Sequence, residues 1–340
     1  MDNINIKKLA KELNLSTSTV SRAFRNNNDI NKETKERILE RARELGYQPN
    51  HYASNLRERK SRTIAVIVPE LANNFFLQII NGLEQVASTK GYHILIYLTG
   101  DNYEKEIDFI NHLSNGRVDG IMMSVSGETA REHNYLHKLK EKNIPLVFFD
   151  RIYEDIAAAK VITDDYESSF QGTEHLIQAG CKDIAFLVIN KNLSIGKTRL
   201  QGYLDALQQH GLPYRDELVV DCRHELDRNY EILQQALPAL KPDGVFASVE
   251  RLAIATYYVC QDQGIRIPED LKVISFSSLE IAPLLNPALS TITQPAFEMG
   301  TRAATLLFEA IEGGAATART DQVLLKSKLI PRKSSSVTPA

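Results

Sequence analysis

The 340-residue chain reads as an all-α helix-turn-helix head joined to an α/β body of two doubly wound parallel-sheet lobes. Three observations predict this. The first 49 residues hold three short stretches with helical apolar spacing, separated by polar turns. From Ile64 onward, continuous apolar runs alternate with helical stretches, and the whole series occurs twice. Charge is also divided. Residues 1–62 carry 14 Lys+Arg against 8 Asp+Glu, a net +6, whereas residues 63–340 carry 26 against 35, a net −9. A basic head on an acidic body is the asymmetry expected when one end of a chain meets a polyanion.

The bulk numbers agree. At about 100–200 residues per domain, this length suits a small domain plus a large bilobal one. A chain that is 43% hydrophobic and 24% charged has an ordinary globular balance. No apolar run approaches the ~18 residues of a membrane span. The start MDNINIKKLAKELN is polar, unlike a secretion signal, so a cytoplasmic location is expected. Cys181, Cys222 and Cys260 are scattered and read as apolar fillers in a reducing compartment.

In the head, Ile6, Leu9, Ala10 and Leu13 fall at i, i+3, i+4 and i+7 and predict a first helix closed by Asn14. Ser16 reads as the N-cap of a second helix that turns Val20, Ala23 and Phe24 inward. The polar loop Asn26-Asn27-Asn28-Asp29 follows. Asn31 caps a third helix with Ile38, Leu39, Ala42 and Leu45 on its apolar face, stopped by Gly46. A tight turn between the first two helices describes a helix-turn-helix, whose second helix enters a DNA major groove. Thr17 and Ser18 sit where side chains reach base edges, and Arg22 can fork onto a guanine. Ser16, Ser21 and Asn26 suit phosphate and backbone contacts.

In the body, IAVIV, HILIYL, GIMMSV and PLVFF predict one set of strands, with helices near 75–90, 103–114 and 130–142. AFLVI, GVFA and VISF predict a second, with helices near 166–179, 196–210, 225–240 and 250–263. A last helix at 295–312 and strands near 322–330 return to both lobes. Such lobes bind small ligands in the cleft at the carboxyl ends of their strands. Enzyme motifs fail individually. Gly196-Lys197-Thr198 ends like a phosphate-binding loop, but Lys191 stands where the first glycine is required. His133 and His137 lack a glutamate base, Asp164-Asp165 lacks a nucleophile or metal partner, and no cofactor is implied.

The strings IKKLAKELNLSTSTVSRAF and INKETKERILERARELGYQPN resemble the head of the lactose-repressor/purine-repressor (LacI/GalR) family of bacterial transcription regulators. The likeness continues through RTIAVIVPELANNFF, VDGIMM, RLQGYLDAL and ALSTITQPAFEMG, in family order, over residues 4–330. The resemblance implies a periplasmic-binding-protein-like effector domain, operator DNA as partner, a homodimer, and a small-molecule effector. It divides the chain into a DNA-binding domain at 1–49, a hinge at 50–61 and an effector domain at 62–335. Lobe 1 then spans about 62–161 and 292–322, and lobe 2 about 162–291 and 323–335. In the hinge, Leu56 matches the family's minor-groove wedge, with Arg57 as a phosphate clamp.

Carried over residue by residue, the effector contacts fall on Asn73, Asn74, Phe75, Asp164, Arg199 and Gln294. Departures from the family pattern fall at Glu250, Ser277 and the pair Arg223-His224. The family's Asn-Asp is here Val249-Glu250, its F-D-D is Phe276-Ser277-Ser278, and its Asp-Phe pair is Arg223-His224. Read this way, the cleft has lost acceptors and kept cations. That suggests an anionic effector, a sugar acid or sugar phosphate.

Overall fold

The computed structural model describes residues 4–24, 30–47, 61–72, 74–126, 133–313 and 320–336. The expected contacts at Asn26, Leu56, Arg57 and Asn73 therefore lie outside the described residues. The chain divides into two compact units, 1–61 and 62–340.

In the first unit, α1 (Ile6–Glu12) begins where the Asn5 side chain accepts from the Lys7 and Lys8 amides, each at 3.1 Å. It ends on Asn14, whose φ of 54° lets Leu15 N–H reach back to Ala10 C=O at 2.9 Å. That closure satisfies carbonyls the helix leaves open and turns Leu15 into the core. Helix α2 (Thr17–Phe24) starts on Ser16 Oγ, which accepts from Thr19 N–H at 3.1 Å. Helix α3 (Lys32–Glu44) is capped by Asn31 Oδ1 on Glu33 N–H at 3.0 Å and stopped by Gly46 at φ 64°. Leu9, Ala10, Val20, Ala23, Ile38 and Ala42 are all buried between the three helices. Arg41 ties α3 to α1 through Glu12 at 2.8 Å, an exposed pair that adds little in water.

The second unit holds two six-stranded sheets among the described residues. The first contains β1 (Thr63–Val68), β2 (His93–Leu98), β3 (Gly120–Met123), β4 (Leu146–Phe149), β5 (Ala159–Thr163) and β11 (Gln322–Leu325), in the order β11-β5-β4-β3-β1-β2. All are parallel, with Val66 opposite Ile96 on one side and Met122 on the other. The second contains β6 (Ile184–Ile189), β7 (Val219–Cys222), β8 (Gly244–Ala247), β9 (Lys272–Phe276), β10 (Ser290–Thr293) and β12 (Lys328–Ile330), in the order β12-β10-β9-β8-β6-β7. Only β12 among these runs antiparallel, against β10.

Helices α4 (Asn74–Thr89), α5 (Tyr103–Leu113), α6 (His137–Glu141) and α11 (Ala296–Gly313) accompany the first sheet. Helices α7 (Asp165–Gln178), α8 (Ser194–Gln209), α9 (Leu226–Leu240) and α10 (Glu250–Gln263) accompany the second. The central strands of each sheet are buried on both faces, which is why they read as continuous apolar runs. Helices α4 and α11 meet backbone to backbone. A Cβ at Gly300 would stand 2.0 Å from Ile79 O, so only glycine fits there.

Three strands escape the apolar-run criterion. β5 carries Lys160, whose ammonium donates to Glu154 C=O at 2.9 Å. β7 is a four-residue edge strand, and β10 reads Ser-Thr-Ile-Thr, with hydroxyls bonded to the C-terminal segment. The expected helix at 130–142 is in its described part a turn at Asn134–Leu136 followed by the short α6. The chain crosses between lobes after Thr163, Thr293 and Leu325, two to three residues later than the expected boundaries. The reason is physical: each strand completes its ladder before the chain leaves its sheet, so 323–325 belong to lobe 1.

Candidate functional site

Two surfaces carry chemistry. On α2, Val20 and Ala23 anchor the helix, while Thr17, Ser18 and Arg22 are exposed and Ser21 is half-buried. At 100° per residue these positions share the outer face. Ser16 is engaged locally: its Oγ caps the helix and lies 2.7 Å from Ser18 Oγ and 2.8 Å from Thr19 Oγ1. The face therefore offers hydroxyls and one guanidinium on a rigid, capped helix.

The second surface lies where strand ends of the two lobes meet. Both sheets share one strand order, reversing direction beside β1 and β6, and a crevice opens at such a reversal. From lobe 2, Arg199 on α8 is 4% exposed and points under β8 and β9. Its Nε donates to Asp165 Oδ1 at 2.7 Å, one terminal nitrogen donates to Ser248 C=O at 2.5 Å, and its guanidinium stacks 3.7 Å from the Phe276 ring. Arg199 is thus a compensated cation rather than a free one.

Glu250 opens α10 and is 7% exposed. Its Oε2 accepts from Ser277 Oγ at 3.1 Å and from Ser278 N–H at 3.2 Å, and its Oε1 accepts from Asn74 N–H at 3.1 Å. Burial pushes its carboxyl pKa up, against the pull of these hydrogen bonds. The acceptor missing at Ser277 is therefore supplied by Glu250 from the adjacent strand end.

The other expected residues are placed as follows. Asp164 Oδ1 accepts from Ser168 Oγ at 3.0 Å and Ser327 N–H at 2.8 Å, fastening two interlobe crossings together. Gln294 Nε2 donates to Thr163 Oγ1 at 3.0 Å, joining a third crossing to the first. Phe75 is buried in the lobe 1 core, edge-on to Phe76 at 5.3 Å. His224 Nε2 sits 3.2 Å from Asp101 Oδ2 across the cleft. The Arg223 side chain is exposed and donates to Cys222 C=O at 3.2 Å, while its amide binds Asn229 Oδ1 at 2.7 Å.

Sequence reasoning missed several neighbours. Asp150 follows β4 at φ 61°, accepts from Ser124 Oγ at 3.1 Å, and has its pKa pushed up to about 6 by burial, with nearby Arg151 opposing. Asp165, not Asp164, is the partner of Arg199. Asp101 pairs with Arg151, and Arg251 of lobe 2 donates to Glu70 of lobe 1. A carboxylate one residue past an apolar strand was the available signal for Asp150; Asp165 lies two residues past β5, a strand without that pattern.

Comparison with known proteins fits both surfaces. Residues 5–50 match the model of bacterial regulatory proteins, lacI family, and residues 173–335 match the periplasmic binding protein-like domain. Over 309 residues the chain is 31% identical to catabolite control protein A of Priestia megaterium, spanning 90% of this chain and 92% of that protein. It is 32% identical over 298 residues to the probable HTH-type transcriptional repressor ExuR of Bacillus subtilis (strain 168), spanning 86% and 87%. Among solved structures, the transcriptional regulator CelR–cellobiose complex superposes with a TM-score of 0.72 at 26% identity, over 97% of this chain and 99% of that one. The lac repressor dimer bound to operator and the anti-inducer ONPF shares the fold, with a TM-score of 0.84 over 98% and 100% of the chains at 20% identity. These relatives are regulators rather than enzymes. With a helix-turn-helix head and a periplasmic-binding-protein-like body, the chain belongs to the lacI family of DNA-binding transcriptional regulators.

Proposed function

We propose that this regulator is a cytoplasmic repressor, binding a two-fold operator as a homodimer and switched by a small carbohydrate-like effector held between its lobes. The observation that carries the DNA-reading part is the exposed Thr17, Ser18 and Arg22 face on a capped second helix. One such helix reads few base pairs, so two half-sites are needed for specificity. The edge strand β2 supports pairing of two copies, because Leu95, Ile96 and Leu98 are each more than 40% exposed there. The hinge at 50–61, with Leu56 as wedge and Arg57 as clamp, couples lobe angle to operator binding.

For the effector, the cellobiose complex of a relative supports a carbohydrate. The charge pattern favours a neutral, hydroxyl-rich one. Among the described cleft residues, Arg199 is offset by Asp165, Arg251 by Glu70 and Arg151 by Asp101, which His224 also faces; this leaves exposed Arg223 as the cation on which a sugar acid or phosphate depends. The experiment is a gel shift on the gene's upstream region across a salt series, with calorimetry using cellobiose, ribose, glucuronate and glucose 6-phosphate. Steep loss of DNA binding with salt is expected, because neutralised phosphates release counterions. A chain without residues 1–60 that still shifts DNA sinks the assignment of the head. Tight glucuronate binding that is lost in Arg223→Ala sinks the neutral-effector reading.

A further inference from the structure

The body begins at a residue held in a costly conformation. Arg62 stands immediately before β1, and its φ of 54° lies in the left-handed region that glycine enters freely and other residues avoid. Such a conformation persists only where its surroundings over-determine it. Here two neighbours do so. Tyr92 and Asp119 stand immediately before β2 and β3, the strands that flank β1, so the three residues line one edge of the first sheet. Arg62 N–H donates to Asp119 Oδ2 at 3.0 Å, and Arg62 C=O accepts from His93 N–H at 2.9 Å. The Asp119 amide donates in turn to Thr63 C=O at 2.8 Å. The Arg62 guanidinium lies 5.4 Å from the centroid of the Tyr92 ring, within the range of a cation–π contact. The circuit closes through the buried Tyr92 hydroxyl, which is hydrogen-bonded to Asp119 and stays protonated, its pKa pushed up to about 12 by burial and by that carboxylate.

We propose that Arg62 is a rigid joint: with Asp119 and Tyr92 it fixes the direction in which the segment 50–61 leaves lobe 1, so that a turn of the lobe is handed to the hinge without slack. This rests on the reading that the hinge couples lobe angle to operator binding. Two features set the joint apart from an ordinary strand start. Glycine would adopt the same φ at less cost but would leave the outgoing chain free to swing, so arginine at this position trades ease for stiffness. The ties also act on the first residue of the body, whereas β1 is held from Ile64 onward by ladders on both sides. Loosening the joint therefore frees the outgoing chain and leaves the sheet intact. The joint lies at the amino ends of β1, β2 and β3, and the cleft lies at the carboxyl ends of strands, so lobe 1 spans the two as one block.

The test uses the full chain with a spin label at Lys60→Cys, two residues before the joint; the three native cysteines are buried. A motionally restricted component is expected to dominate the spectrum of the parent. Arg62→Gly, which suits the backbone and removes the side chain, converts most of it to a mobile component. Arg62→Lys, which keeps a cation for the Tyr92 ring, retains it. The same variants without the label are then titrated with the gene's upstream fragment and with random DNA of equal length. Arg62→Gly is expected to lose about tenfold in affinity for the upstream fragment, because two heads on loosened tethers meet their half-sites at a lower effective concentration. Affinity for random DNA and melting of the body stay close to the parent's, a split that a merely structural role would not produce. A parent label as mobile as that of Arg62→Gly, equal losses on both DNAs, or an unchanged affinity for the upstream fragment overturns the proposal. A parent with no preference for its upstream fragment counts against the operator reading instead, and the spectra still decide the joint, so the two can fail separately.

Discussion

Arg199 and Asp165 form an ion pair at 2.7 Å in which both side chains are more than 90% buried, with the Phe276 ring closing the other face of the guanidinium. Neither charge sees bulk water. Removing one partner leaves the other uncompensated, so Arg199→Ala is expected to destabilise the body by about 3–5 kcal/mol. Arg199→Met combined with Asp165→Leu removes both charges and is expected to be less damaging than either single change. Urea unfolding of the three variants checks this, and additive losses refute it.

Asp150 gives a pH-dependent prediction. Its folded pKa of about 6 lies above the ordinary aspartate value of 3.8, so the folded protein binds this proton more tightly than the unfolded chain does. The stabilising effect of that protonation is fully present below about pH 4 and is lost as pH rises through about 6. Above that range the buried carboxylate opposes folding. Asp150→Asn is therefore expected to raise the melting temperature at pH 7.5 by a few degrees and to change it little near pH 4. A variant that melts lower than the parent at pH 7.5 contradicts the burial argument.

On the DNA-reading face, Arg22→Ala is expected to cost about 1–3 kcal/mol in operator affinity and to relax sequence choice at one base pair of each half-site. Binding to random DNA should fall much less. Equal losses on operator and random DNA assign Arg22 to a phosphate instead.

The head has little core to spare, so Ile38→Ala, at a fully buried position, is expected to cost about 2–5 kcal/mol. Because the body forms a separate compact unit, this change should abolish operator binding while leaving calorimetric ligand binding intact. Loss of both functions together contradicts independent folding of the two units.

What could be read from the sequence was local. Ser16, Asn31 and Gly46 announce helix ends through chemistry acting within four residues, and each does so in the structure. The Asn14 stop is of the same kind. The central strands declared themselves because sheets buried on both faces demand unbroken apolar runs. β5, β7 and β10 do not, since a buried lysine with its own carbonyl, a short edge and bonded hydroxyls each satisfy a strand without that pattern. The cleft was least legible. Ser277 looked like a lost acceptor because the carboxylate that serves it is 27 residues away, and that carboxylate's lobe 1 partner is 176 residues away. The resemblance to a known family located the strand ends but not which side chains reach across them.

The three crossings between lobes have a consequence for synthesis. Met299, Ala303 and Leu307 of α11 fill the core of lobe 1, and β11 completes its sheet, so a lobe begun at Thr63 waits for the segment 296–325. Lobe 2 waits in turn for β12. On a ribosome the head closes its core from residues 6–47 and can fold early, while both lobes must hold their unfinished edges open until nearly the whole body has emerged. Truncations that remove the last fifty residues should therefore leave a folded DNA-reading head on an aggregating body, a species able to occupy DNA without answering to any ligand.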